Sequence, residues 1–199
     1  MTGPLSVTFN VPGDKQAAFY DLVSKHPDIF TEFRITTSSA TLYPDKNIFI
    51  SYRRVDSEDI CGRIYDRLTQ EFSRENVFKD TENIPPGVDF RFALEQAVRS
   101  CNIMLVLIGQ NWTKGENKTR LNHPDDFVRF EIETALGRDI PVIPVFVQKR
   151  TKMPLKSHLP VSLHDLLYRN AREARPDPDF HKDMSRLISE IKMIFDLKP

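Results

Sequence analysis

No stretch of this sequence is apolar for long enough to cross a bilayer, and the N-terminal "MTGPLSVTFNVPGDK" has no charged segment followed by an apolar one, as a leader would. These absences predict a soluble, cytoplasmic chain without membrane contact. Net charge is missing too. Lys plus Arg and Asp plus Glu both total 28, so no overall field draws the protein toward nucleic acid or an anionic surface. A charged ligand has to be held by local groups. Only two cysteines occur, Cys61 and Cys101, far apart and each beside an apolar segment. That argues against a disulfide framework and for two buried free thiols in a reducing compartment. Metal-ligand spacing is absent, and so are internal repeats and low-complexity blocks.

With 199 residues there is room for one well-buried domain and something small beside it. From residue 46 onward short apolar runs alternate with amphipathic stretches, the pattern of a parallel sheet covered by helices on both faces. "NIFISY" (47–52) reads as a buried strand whose C-terminal end opens onto a ligand site. "SEDICGRIYDRLTQEF" (57–72) spaces Ile60, Ile64 and Leu68 as a helix, with Ser57 as its N-cap. "NVFKD" (76–80) is a short strand, and Pro85, Pro86 and Gly87 force the following "TENIPPGVDF" (81–90) into a loop. A helix over about 89–100 follows. "NIMLVLIG" (102–109) is the most apolar run and reads as the central strand, dry on both faces. After a polar connection, "PDDFVRFEIETAL" (124–136) forms another helix. "DIPVIPVFV" (139–147) resumes the sheet, starting late or placing Pro141 and Pro144 where a missing N–H costs little. "LLYRNA" (166–171) offers one more short strand. In the tail, Phe180, Met184, Leu187, Ile191 and Ile194 recur at helical spacing.

Residues 1–45 read as a separate N-terminal extension. "SVTFNV" alternates as a half-buried strand, "DKQAAFYDLVSKH" as a helix capped by Asp14, and "TEFRIT" as a returning strand. So small an α/β piece hides little apolar surface alone and is expected to dock on the main domain, 46–199, or on another chain.

Two places carry chemistry. "FISYRR" (49–54) sets the hydroxyls of Ser51 and Tyr52 and the guanidinium groups of Arg53 and Arg54 at the sheet edge where open α/β folds bind ligands. Two arginines can fork-bond phosphate oxygens while Tyr52 or Phe49 offers a face to a base. On these residues alone, Arg53 and Arg54 serve equally well to solvate a strand end or to pair with Asp56 and Glu58. The second place is Glu131. Its helical rows carry Phe127, Val128 and Ala135, so an acidic side chain lies along an apolar stripe. Glu133 is explained by an i,i+4 pair with Arg129. Glu131 has no such partner, unless it reaches toward Arg120.

In this order "FISYRR", "VFKDTENIPPGVDF", "SCNIMLVLIG", "DDFVRFEIETAL" and "IPVIPVFV" resemble the TIR (Toll/interleukin-1 receptor) domain from about residue 46 to 194, closest to the bacterial branch and to NAD-cleaving animal members. The resemblance implies a flavodoxin-like α/β domain with a central parallel sheet of about five strands. It makes 80–90 the family's BB loop, with Asp80, Ile84, Pro85, Pro86, Gly87 and Phe90 in assembly. It makes Glu131 the catalytic residue of an NAD+ glycohydrolase with ADP-ribosyl cyclisation as a second output. Phe49, Ser51, Tyr52, Arg53, Arg54 and Phe127 become substrate-binding residues, and NAD+ a substrate rather than a cofactor. Many enzymatic relatives carry Trp four residues before this Glu, where Phe127 stands here; Trp112 offers a second aromatic wall or simply packs. Self-association, a sensor or effector partner and a role in bacterial anti-phage immunity are implied alongside. Two other functions share the pattern: a TIR interaction module that catalyses nothing, and a subunit that binds a nucleotide signal without cleaving it.

Overall fold

The computed structural model describes residues 46–79 and 89–197. The strand-helix-strand expected for 1–45 lies outside the described residues, as do Asp80, Ile84, Pro85, Pro86 and Gly87 of the expected assembly loop. Phe90 enters as the first residue of a helix.

The chain alternates strand and helix as the apolar runs predict. Strand β1 (Ile48–Ser51) leads to helix α1 (Arg54–Phe72), then β2 (Val77–Lys79), α2 (Phe90–Ser100), β3 (Ile103–Ile108), α3 (Gly115–Asn122), α4 (Phe127–Leu136), β4 (Val142–Phe146), β5 (Arg172–Glu173) and α5 (Phe180–Leu197). All four strand pairings are parallel, in the order β2-β1-β3-β4-β5. The chain leaves β1 toward β2 on one side and returns to β3 on the other. That reversal opens a crevice at the C-terminal ends of β1 and β3.

Period-two alternation divides the core. Ile103, Leu105 and Leu107 of β3 pack with Ile64 and Leu68 of α1 and with Met184, Leu187 and Ile191 of α5. Met104, Val106 and Ile108 face the other way, onto Leu94 and Val98 of α2 and Val128, Ile132 and Ala135 of α4. Each such side chain, fully buried, contributes about 1.5–3 kcal/mol, so the six buried residues of β3 anchor both layers. In β1, Ile48 and Ile50 join the first layer and Phe49 the second. Ser51 has the parity of Phe49 and therefore faces α4. Sheet geometry alone puts a hydroxyl under that helix.

Helix α2 starts where expected, with Asp89 accepting from the N–H groups of Arg91 and Phe92. Helix α1 starts earlier than its pattern suggests. Arg53 takes the cap position and the backbone breaks at Ser57 (φ −149°, ψ 22°), whose hydroxyl donates to the Arg53 carbonyl. Strand β4 begins after Pro141, and Pro144 lies within it. Pro141 O accepts from Met104 N–H and Val147 N–H donates to Ile108 O, so odd residues face β3 and Pro144 faces away. On that side pairing with β5 begins only at Val145, and the missing donor costs little.

The last strand differs from expectation. Residues 166–168 belong to a 3₁₀ run, Val161–Tyr168, and β5 follows at Arg172–Glu173. In a 3₁₀ turn positions i and i+3 eclipse, which lets Leu163 and Leu166 both enter the α4 layer; a strand would point them to opposite faces. Just beyond β5, Arg175 Nε and Nη2 each donate to Asp183 at 2.8 Å, which locks the start of α5. Those bonds hold the Asp183 carboxyl below its usual range. No helix of the described residues is long and apolar enough to cross a membrane, and no cluster among them suits a metal ion.

Candidate active site at the end of β1

Ser51 ends β1 facing α4, and the residue it meets is Glu131. The Ser51 hydroxyl donates to Glu131 Oε2 at 2.6 Å, across 80 positions of sequence. Glu131 is 7% exposed and Ser51 1%, so this carboxylate is almost wholly withdrawn from water. Its helical neighbours Val128, Ile132 and Ala135 are core residues, which is the apolar shelf its sequence position implies. Glu133, two residues on, accepts from Arg129 Nε at 2.6 Å and bonds Ser162, the surface pairing expected of it. Arg120, the arginine that local spacing offers to Glu131, lies 3.8 Å from Asp126.

Arg53 and Arg54 part company. Arg53 turns inward: Nη1 and Nη2 donate to the two oxygens of Asp126, each at 3.0 Å, with both side chains 2% exposed. Asp126 also caps α4 by accepting from Arg129 N–H. The fork expected to grip phosphate is thus spent on a carboxylate, and its effect is positional. It ties the chain two residues after Ser51 to the residue five before Glu131, which sets the register of hydroxyl against carboxylate. Only Nε of Arg53 is buried without a partner. Arg54 opens α1 on the exposed surface and lines a shallow depression with Glu58, Asp59 and Gln148.

The aromatic candidates also separate. Phe49 is buried at 1% in the layer beneath Ser51, leaving no face for a base. Tyr52 is half-buried against the opposite layer. Phe127, in the first turn of α4 and 43% exposed, is the aromatic left on the same helix as Glu131, one turn before it. Ser51, Arg53, Asp126, Phe127 and Glu131 thus gather about the junction of β1 and α4.

A family model described as the TIR domain matches residues 48–188. The chain belongs to the TIR family. Among solved structures it is similar to the TIR domains of the activated Roq1 resistosome, which directly recognises the pathogen effector XopQ. The match has a TM-score of 0.53 and 14% identity, and covers 73% of this chain and 99% of that one. At that identity the likeness speaks for the fold alone. No curated protein matches the chain.

One feature of this TIR domain escaped the sequence. Asp56 is no surface partner for the arginines. It is buried at the start of α1 and accepts from Gly109 N–H and Asn111 N–H, each at 2.9 Å, so it pins the loop after β3 to the loop after β1. A Cβ built on Gly109 would lie 2.5 Å from Asp56 Oδ2 and 2.6 Å from Oδ1. Gly109→Ala is therefore expected to break this bridge and destabilise the fold by about 1–3 kcal/mol, read as a lower urea midpoint; an unchanged midpoint would show that the loop yields freely. A glycine directly after the central strand was the available signal.

Cys61 and Cys101 are both buried free thiols. Burial pushes the Cys101 thiol up to about 12, far from the reactive thiolate range. In the native protein at about pH 8, where an exposed cysteine is partly ionised, Cys101 is expected to resist an aromatic disulfide reagent and to react only after denaturation. Rapid native labelling of Cys101, located by peptide mapping, would contradict that burial.

Proposed function

We propose that this TIR domain is an NAD+ glycohydrolase with Glu131 as its catalytic residue. The observation that carries the reading is the buried Glu131 carboxylate held by Ser51 at 2.6 Å on the C-terminal edge of a parallel sheet, where such folds bind ligands. Breaking the nicotinamide–ribose bond expels a pyridine that was cationic and leaves neutral, so no general acid is required. The ribose carbon gains positive character as the bond lengthens. A carboxylate withdrawn from water stabilises that charge more strongly than a solvated one, as in the related chemistry of glycoside cleavage. Water then adds to the ribose carbon and releases a proton, giving ADP-ribose and nicotinamide; attack by a nitrogen of the adenine base instead gives the cyclic product.

In this reading Ser51 orients Glu131, Arg53 holds α4 in place, and Phe127 offers a stacking face beside the carboxylate. Self-association through 80–90 completes the site and acts as its switch, a role supported by the assembled state that the Roq1 resistosome is named for. Immune signalling, against phage in a bacterial host, is the setting that fits such a switch. The test is NAD+ consumption at high protein concentration with a crowding agent, followed by chromatography of the products. Release of nicotinamide is expected, with the ratio of linear to cyclic ADP-ribose naming the output. An assembled protein that leaves NAD+ intact would be an interaction module instead.

A further inference from the structure

One strand over from Ser51, the loops that follow β3 and β4 border a half-open groove of 290 Å³. Four cationic or titratable basic side chains line it: Lys114 from the first loop, and Arg150, Lys152 and His158 from the second. No acidic residue lines it among the described residues, and none of the four is in an ion pair there. What marks these four is that they gather in one groove with no carboxylate among its lining residues.

Two of the groove's lining residues each carry a buried polar atom without a partner. Trp112, 1% exposed, and Thr151 both line it, and Trp112 Nε1 and Thr151 Oγ1 are buried with no hydrogen-bond partner. A buried polar group left unsatisfied costs about 1–3 kcal/mol, and persistent examples call for a reason. The walls are fixed in advance. Gln110 N–H donates to Gln148 Oε1 at 2.7 Å and Gln110 Nε2 donates to the Lys149 carbonyl at 2.8 Å, lacing one loop to the other. Arg150 sits at φ 64°, a left-handed backbone that non-glycine residues rarely adopt and that tends to collect at ligand sites.

We infer that this groove is a binding site for a small phosphate-bearing ligand of the nucleoside diphosphate kind, separate from Glu131. Lys114, Arg150 and Lys152 meet the phosphate oxygens. Trp112 Nε1 and Thr151 Oγ1 donate to oxygens deeper in the groove. Met153, Pro154 and Leu155 give a base or other flat body an apolar surface to lie on. A half-open groove of this size, in a chain of balanced charge, suits a discrete anion rather than a track of nucleic-acid backbone.

The experiment is calorimetric titration of the full chain with ADP, with adenosine, and with inorganic pyrophosphate, alongside flotation with vesicles carrying phosphatidylinositol phosphate. ADP and pyrophosphate are expected to bind saturably and adenosine not. Lys114→Gln with Lys152→Gln, both on the exposed surface, is expected to weaken ADP by roughly tenfold or more, whereas Glu131→Gln leaves ADP binding as it was. Trp112→Phe, if it folds, weakens ADP without changing the salt dependence. ADP binding without vesicle capture assigns the phosphate to a soluble nucleotide; vesicle capture lost in the lysine variant assigns it to a lipid headgroup. Binding to neither, or ADP binding indifferent to the lysine pair, overturns the site. Because the readout is binding, it stands or falls independently of NAD+ cleavage.

Discussion

Glu131→Gln is expected to lower the rate of NAD+ cleavage by about 10²–10³-fold, the usual loss when one preorganised electrostatic group is removed from a reacting centre. The substitution keeps the volume of the side chain and leaves an oxygen to accept from the Ser51 hydroxyl, so the apolar shelf formed by Val128, Ile132 and Ala135 is undisturbed. What disappears is negative charge. Since burying a carboxylate is costly and burying an amide less so, the variant should unfold in urea no earlier than the wild type. The contrast between intact stability and lost turnover separates chemistry from folding. Nicotinamide release measured on the assembled protein decides it, and a variant that cleaves NAD+ at the wild-type rate would remove Glu131 from the mechanism.

Arg53→Met is expected to cost the fold about 3–5 kcal/mol, because it leaves the Asp126 carboxylate buried with its main counter-charge gone. Arg120, 3.8 Å away and mostly exposed, supplies partial compensation and places the effect toward the lower end. Asp126→Leu strands the guanidinium instead and also removes the cap from α4, which adds about 1 kcal/mol. The two changes together should cost much less than their sum, since a buried pair exchanged for apolar groups is often close to neutral. Urea unfolding of the two single variants and the double variant gives the coupling directly. Singles that lose less than about 1 kcal/mol would mean the pair behaves like a surface bridge. NAD+ cleavage should fall in all three, because α4 is no longer held in register over Ser51.

Most of the sheet was legible because each buried parallel strand announces itself as a short apolar run. β3 is the clearest, with six buried residues in a row. β5 was misplaced because two residues carry no period, and because the apolar pair Leu166 and Leu167 reads locally as the start of a strand although it belongs to a 3₁₀ run. The site was legible only in part. Glu131 stood out as a charge on an apolar stripe, a property of one helix that local spacing reveals. Arg53 was noticed for the wrong partner: its carboxylate lies 73 residues away, and nothing local distinguishes an arginine that binds phosphate from one that clamps a helix. Asp56 was likewise read only as a partner for the arginines, because its two backbone donors are 53 and 55 residues distant.

The amino-acid order by itself determined the α/β alternation, the start of a helix at about residue 89 and the odd placement of Glu131, and through its motifs the TIR family. These depend on propensities and periods that act within a few residues. Which face of β1 Ser51 would show to which helix, which arginine would be buried, and where cations would be left without partners were decided only in three dimensions. Burial sets the cost of leaving a charge or a hydroxyl unpaired, and burial exists only once the chain has brought distant segments together.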